Sequence, residues 1–233
     1  MISFESIKRI KAGTSNVWLI KNGQNSILID AGNKNKSSKV LRFLEIQNVD
    51  PSHIRYIIIT HTHYDHCGGL DVIKKATGAE VIVHKSEANR LKSGYCRLPD
   101  GIMWFSRILN QIGKRLPQHF FSYKGILPDI EICEEQSFQL DSIELSIIHT
   151  PGHTKGSISI ILDDKYLFVG DTLFNIFKRS VMPPYANHLY NLMKSWKKLE
   201  TISAEYIFPG HGACFINEKF TICFNRQKEI GIM

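Results

Sequence analysis

The stretch Thr60-His61-Thr62-His63-Tyr64-Asp65-His66 leaves a chain few ways to fold around it, because three imidazoles and a carboxylate fall within six residues. It follows directly on Tyr56-Ile57-Ile58-Ile59, an apolar run of the length of a buried strand. The cluster is therefore expected on a loop at the C-terminal edge of a sheet. Strand alternation would send His61 and His63 to one side, with Asp65 and His66 turned towards a neighbouring point, an arrangement suited to two divalent cations. A lone histidine would more readily be a half-buried polar residue, but this cluster has company. His153 stands in Thr150-Pro151-Gly152-His153-Thr154, Asp171 in Val169-Gly170-Asp171-Thr172, and His211 in Phe208-Pro209-Gly210-His211-Gly212. Each is a single ligand-type residue just after an apolar segment and in or beside a turn with glycine, as in a site assembled on the loops of one sheet edge.

The series His61-x-His63-x-Asp65-His66, then His153, Asp171 and His211, resembles the five-motif signature of the metallo-β-lactamase-fold hydrolases. The likeness runs over positions 16 to 212 and fills all seven ligand positions of the dinuclear subgroup. It implies an α+β fold, a four-layer αββα sandwich built of two similar αβ halves. It also implies that His61, His63 and His153 hold one ion, that Asp65, His66 and His211 hold the other, and that Asp171 bridges them. Imidazole and carboxylate without thiolate suit zinc and also admit iron(II) or manganese, so the cofactors expected are two divalent metal ions, zinc foremost. By the same resemblance the nucleophile is a hydroxide shared by the two ions, and Asp65 is the catalytic residue that orients it and accepts its proton. Asp30, in Asp30-Ala31-Gly32, is expected to support the metal loop without ligating. His149, four residues before His153, is expected beside the site rather than in it, and His84 is no ligand, since the seven positions are filled elsewhere.

Departures within the superfamily narrow the activity. Asp171 stands where true β-lactamases generally carry Cys or Ser, which argues against antibiotic hydrolysis, and His63 stands where flavodiiron oxygen reductases usually carry Glu. Gly170-Asp171-Thr172-Leu173-Phe174 is similar to glyoxalase II, a thioester hydrolase. The tail after His211, Gly212 to Met233, is short beside the glutathione-gripping helical domain of that enzyme, which disfavours hydroxyacylglutathione as the substrate. The reading that results is a dinuclear metal-dependent hydrolase of a small ester, thioester or lactone. The alternatives are a phosphodiesterase, an iron-dependent persulfide dioxygenase and a non-catalytic metal-holding scaffold.

At 233 residues the chain fits a single domain, 1–233. Short strands are expected at Ile7–Ile10, Val17–Ile20 and Ile27–Ile29, with a hairpin turn at Gly23-Gln24-Asn25. A helix capped by Ser37 or Ser38 follows, then the Tyr56–Ile59 strand, a helix near Leu70–Ala76 and a strand at Glu80–His84. Strands at Glu131–Cys133, Ser137–Leu140, Ile143–Ile148, Ser157–Leu162 and Tyr166–Val169 are expected to make a second sheet. A helix at about Asn187–Thr201 and a last strand at Glu205–Phe208 complete the pattern.

Between them, residues 86–125 lose the strand pattern, and Met103, Trp104, Ile108, Leu109, Ile112 and Leu116 recur at helical spacing. A helical insertion is expected there, either packed on the body of the domain or serving as a lid or a homodimer contact. Lys85, Arg90, Lys92, Arg97, Arg107, Lys114, Arg115 and Lys124 face only Glu87 and Asp100 in this region, so much of the formal charge of +7 is local. The partner expected is a small-molecule substrate. Nucleic acid is disfavoured, no apolar run approaches a membrane span, and contact of this basic, amphipathic segment with a membrane surface ranks low among its roles. The N-terminus lacks a secretory layout and the five cysteines are odd in number and lack CxxC spacing. Reduced thiols and a cytoplasmic location are the expectation.

Overall fold

The computed structural model describes residues 2–141, 143–229 and 231. The chain divides into two compact units, one made of Met1–Arg97, Pro117–Cys133 and Gln139–Ile143, the other of Leu98–Leu116, Glu134–Phe138 and Glu144–Met233.

The first unit is built on a six-stranded sheet. Its strands are β1 (Ile7–Lys11), β2 (Asn16–Ile20), β3 (Ser26–Ile29), β4 (Ile54–Ile58), β5 (Glu80–His84) and β6 (Ile130–Ile132), hydrogen-bonded in that order. It opens as an antiparallel meander, Ile7 opposite Ile20 and Trp18 opposite Ile29, and turns parallel from β3 onward. A parallel pair needs a crossover between its strands. Helix α1 (Ser37–Ile46) supplies the first, and α2 (Tyr64–Cys67) and α3 (Leu70–Thr77) the second. Val40 and Leu44 of α1 and Leu70 and Ile73 of α3 join Leu19, Leu28, Ile57 and Val81 in one buried cluster. Each such side chain contributes roughly 1.5–3 kcal/mol by leaving water.

The second sheet runs in the order β12-β11-β10-β9-β8-β7, from strands β7 (Gln136–Leu140), β8 (Ile143–His149), β9 (Ile158–Leu162), β10 (Tyr166–Gly170), β11 (Tyr206–Pro209) and β12 (Phe215–Ile216). Strands β8, β9 and β10 run antiparallel in turn, as do β11 and β12, while β10 and β11 lie side by side in parallel, joined through helix α6 (Leu189–Glu200). Trp196 of α6 meets Phe220 of α7 (Asn217–Glu229) edge to face at 5.5 Å, above a core that includes Leu167, Val169, Leu192 and Ile207.

Three elements differ from the sequence reading. The strand at 130–132 belongs to the first sheet, where Ile132 pairs with His84. Asp129 steers it there, its amide donating to the Val81 carbonyl and its carboxylate accepting from the Val81 amide at 2.7 Å. Ser37 is the first helical residue of α1 rather than its cap; the capping position falls on Lys36, with no side-chain cap bond. The segment after His211 holds a strand and a thirteen-residue helix in place of a bare tail. Phe220, Cys223 and Phe224, at helical spacing on the buried side, were the signal for it.

Candidate metal centre

In the first unit β4 ends at Ile58, and the chain carries His61 and His63 before closing into α2, which presents Asp65 and His66. His63 occupies the N-cap of α2, its carbonyl accepting from the amides of His66 at 2.9 Å and Cys67 at 3.0 Å. The loop is thus wound tightly enough to gather three rings, with centroids 4.6 Å apart for His61 and His63 and 4.1 Å for His61 and His66. His61, His63 and His66 are buried and Asp65 is half-buried. The Thr14 hydroxyl donates to Asp65 Oδ2 at 3.1 Å and the Ser15 hydroxyl donates to the Asp65 carbonyl.

Asp30 organises this loop from beneath. Its carboxylate accepts from the Thr60 amide at 2.8 Å, from the Thr60 hydroxyl, and from His66 Nδ1 at 2.7 Å. Thr60 Oγ1 lies 3.1 Å from His61 Nδ1; with its own proton given to Asp30, it accepts the proton that His61 holds on Nδ1. The one carboxylate therefore sets Nδ1–H tautomers on two histidines, which makes Nε2 the lone-pair atom of each. Asp30 supports the loop, as expected. Gly68, just past the loop, leaves no room for a side chain, since a Cβ there would fall on the Lys34 amide nitrogen and the Tyr64 carbonyl oxygen.

A second support was not legible in the sequence. Glu87, buried on α4 (Lys85–Ser93), accepts from the Thr62 hydroxyl and from Arg90 at 3.0 Å. The Tyr123 hydroxyl donates to the Thr62 carbonyl at 3.1 Å, and the Cys67 thiol to the His61 carbonyl at 3.4 Å. Burial, with the nearby Glu87 charge, pushes the Cys96 thiol up to about 12, and burial drives the Cys67 thiol and the Tyr123 phenol well above their ordinary values. These groups are neutral props of the loop at physiological pH. A buried glutamate three residues past a strand end resembles any first-turn helix acid in the sequence, so nothing marked it.

In the second unit the three remaining residues stand at three strand ends. His153 lies in the turn after β8, Asp171 directly after β10 and His211 two residues after β11. Gly152 has φ 143° and a Cβ there would meet the Leu192 backbone, so the turn lies flat on α6. His153 Nδ1 donates to the Tyr185 carbonyl at 2.9 Å. His211 stacks on Phe174 at 4.4 Å, and its carbonyl accepts from the Asn175 amide. His153 Nε2 lies 3.3 Å from Asp171 Oδ2 and His211 Nε2 lies 3.4 Å from the same oxygen. Since Nδ1 of His153 carries the proton, its Nε2 in the neutral ring is an acceptor facing another acceptor. That pairing is favourable only with a cation or a proton between the two atoms, so the donor set fits a divalent metal ion.

The structure therefore brings His61, His63, Asp65 and His66 together on one unit, and His153, Asp171 and His211 together on the other. His149 bonds through Nε2 to the Lys155 carbonyl at 2.9 Å and so braces the turn that carries His153. His84 caps α4, its Nδ1 accepting from the Ser86 amide while Nε2 bonds to the Cys133 carbonyl.

The model of the metallo-beta-lactamase superfamily matches residues 10–211. The chain is 27% identical over 195 residues to a hydroxyacylglutathione hydrolase of Pelagibacter ubique, covering 83% of this chain and 65% of the relative. It is also 27% identical over 233 residues to an acyl-coenzyme A thioesterase of Gallus gallus, covering 94% and 80%. The chain spans less than two thirds of the length of some curated relatives that it matches, 65% and 58% for two of them. Among solved structures, an archaeal metallo-beta-lactamase superfamily protein from Sulfolobus tokodaii matches with a TM-score of 0.72 at 21% identity, covering 96% of this chain and 86% of that one. With its fold shared along nearly the whole chain and the family pattern matched from residue 10 to residue 211, this chain belongs to the metallo-beta-lactamase superfamily.

Proposed function

We propose that the protein is a metal-dependent hydrolase of an acyl ester, thioester or lactone, with a thioester as the preferred class. His61, His63 and His153 would hold one divalent ion, Asp65, His66 and His211 a second, and Asp171 both, with zinc as the metal. The observation that carries the reading is the meeting of two imidazole Nε2 atoms on one oxygen of Asp171, at 3.3 and 3.4 Å, where His153 is already committed as a lone-pair donor by its bond to Tyr185. Support for the acyl class comes from two relatives named for thioester cleavage, one on hydroxyacylglutathione and one on acyl-coenzyme A.

Divalent ions bound there would acidify a water and polarise the acyl oxygen under attack. The chain's own part is positioning and proton handling. Asp65, its Oδ2 oriented by the Thr14 hydroxyl, takes the proton of the attacking water and passes it to the departing thiol or alcohol. Asp30 and Thr60 keep His66 and His61 in one tautomer through the cycle, so neither ring drifts when charge builds nearby.

Elemental analysis of protein purified without added metal, paired with assays on a p-nitrophenyl ester and an acyl-coenzyme A thioester, tests this reading. The expected result is zinc at close to two ions per chain and acyl hydrolysis, with both lost in Asp171→Ala and His153→Ala. Cleavage of bis(p-nitrophenyl) phosphate with no acyl hydrolysis would replace the proposal by a phosphodiesterase.

A further inference from the structure

Helix α5 (Trp104–Gly113), in the second unit, is mounted with its apolar side outward. Ser106, Asn110 and Gly113 form the buried side, the Ser106 hydroxyl donating to the Pro184 carbonyl and the Asn110 amide to the Pro99 carbonyl. The opposite arc carries Trp104, Ile108, Leu109 and Ile112, continued by Leu116, at 76, 55, 52, 53 and 45% exposure. At 100° per residue the four side chains of α5 itself fall within an arc of roughly 140°. A contiguous stripe of this kind marks a surface that meets an apolar partner. The sequence reading left that partner open among the body of the domain, a substrate and a second copy, and ranked a membrane low.

The charge beside the stripe selects among them. Arg107 on the helix and Lys114 and Arg115 just after it are exposed, and residues 101–128 contain no Asp or Glu. Asp100, just before the helix, pairs with Lys114 at 3.3 Å. A second copy of the same face would set like charges against one another, which costs association. An acidic lipid surface supplies both an apolar layer for the stripe and counter-charge for the flank, and Trp104 at the helix start suits the headgroup boundary. Among the described residues no helix is long and apolar enough to cross a membrane, so the contact is one of lying on the surface.

We propose that α5 is a peripheral docking helix for anionic phospholipid bilayers, inserting Trp104, Ile108, Leu109 and Ile112 to the acyl boundary while Arg107, Lys114 and Arg115 engage the headgroups. The inference does not depend on which substrate the enzyme takes. Co-sedimentation of the full chain with phosphatidylcholine–phosphatidylglycerol vesicles and with pure phosphatidylcholine vesicles tests it. The expected result is a preference of about tenfold or more for the anionic vesicles at low salt, shrinking as salt is raised. Ile108→Asp with Ile112→Asp changes two exposed positions, so the urea midpoint should hold while binding falls at least about tenfold. Arg107→Gln with Arg115→Gln should reduce the anionic preference. No binding to either vesicle, equal binding to both, or unchanged binding of the aspartate variant would each overturn the proposal. A concentration-dependent dimer lost in the aspartate variant, with no vesicle binding, would assign the face to a second copy instead.

Discussion

At the scale of the residue, Asp30 is the position on which the histidine loop turns. It sits at φ 63°, a left-handed conformation that aspartate tolerates better than most side chains, and from there it reaches both Thr60 and His66. Asp30→Asn should keep the size of the side chain but lose the charge that draws the His66 proton to Nδ1. Metal affinity measured by competition with a chromophoric chelator should weaken by about tenfold to a hundredfold, the usual range for partners one bond removed from a metal. An unchanged affinity would show that His66 needs no such orienting partner.

At the scale of the element, α4 matters because it delivers Glu87 to the underside of the histidine loop. Glu87→Ala strips the buried Thr62 hydroxyl of its acceptor and the half-exposed Arg90 of its ion pair. The expected loss, read from urea denaturation, is about 2 kcal/mol. The regular elements were legible for a plain reason: runs such as Val17–Ile20, Ile27–Ile29 and Tyr56–Ile59 are apolar throughout and bounded by turn residues, so tertiary packing had nothing to override. The seven ligand-type residues were legible because each follows such a run. Glu87 and Asp129 escaped because an acid's role depends on what lies across from it, and pairing across a sheet leaves no local trace. The outward face of α5 escaped for a related reason. Periodicity reports that a stripe exists, and only the packed Ser106, Asn110 and Gly113 reveal which side is inside. Asp129 gives a prediction at the same scale. Burial raises its carboxyl, but the Lys74 ammonium and the Val81 amide outweigh that and hold it below the ordinary carboxylate range. A depressed folded value contributes stability above the unfolded value and loses it as pH falls towards the folded one. Urea midpoints taken from neutral pH downward should therefore decline less steeply in Asp129→Asn than in the parent.

At the scale of the whole molecule, the five cysteines report on packing. All lie among the described residues and none is in a disulfide; Cys67, Cys96 and Cys223 are buried, Cys133 is exposed and Cys214 is intermediate. Reactivity follows the thiolate and its access. Timed labelling with a maleimide at neutral pH should modify Cys133 first and leave Cys67 and Cys96 unmodified until the protein is unfolded, a pattern that mass spectrometry of digests would read directly. Early modification of Cys67 would mean that the histidine loop opens on its own. The turn bearing His153 has the opposite kind of attachment. It accepts from the amides of Asn187 and His188, and Pro151 accepts from Ser195. Residues 185–195 and this histidine are consequently one mechanical piece. A substitution anywhere in that stretch therefore reaches the ring of His153, and with it the hold on the cation proposed for this histidine.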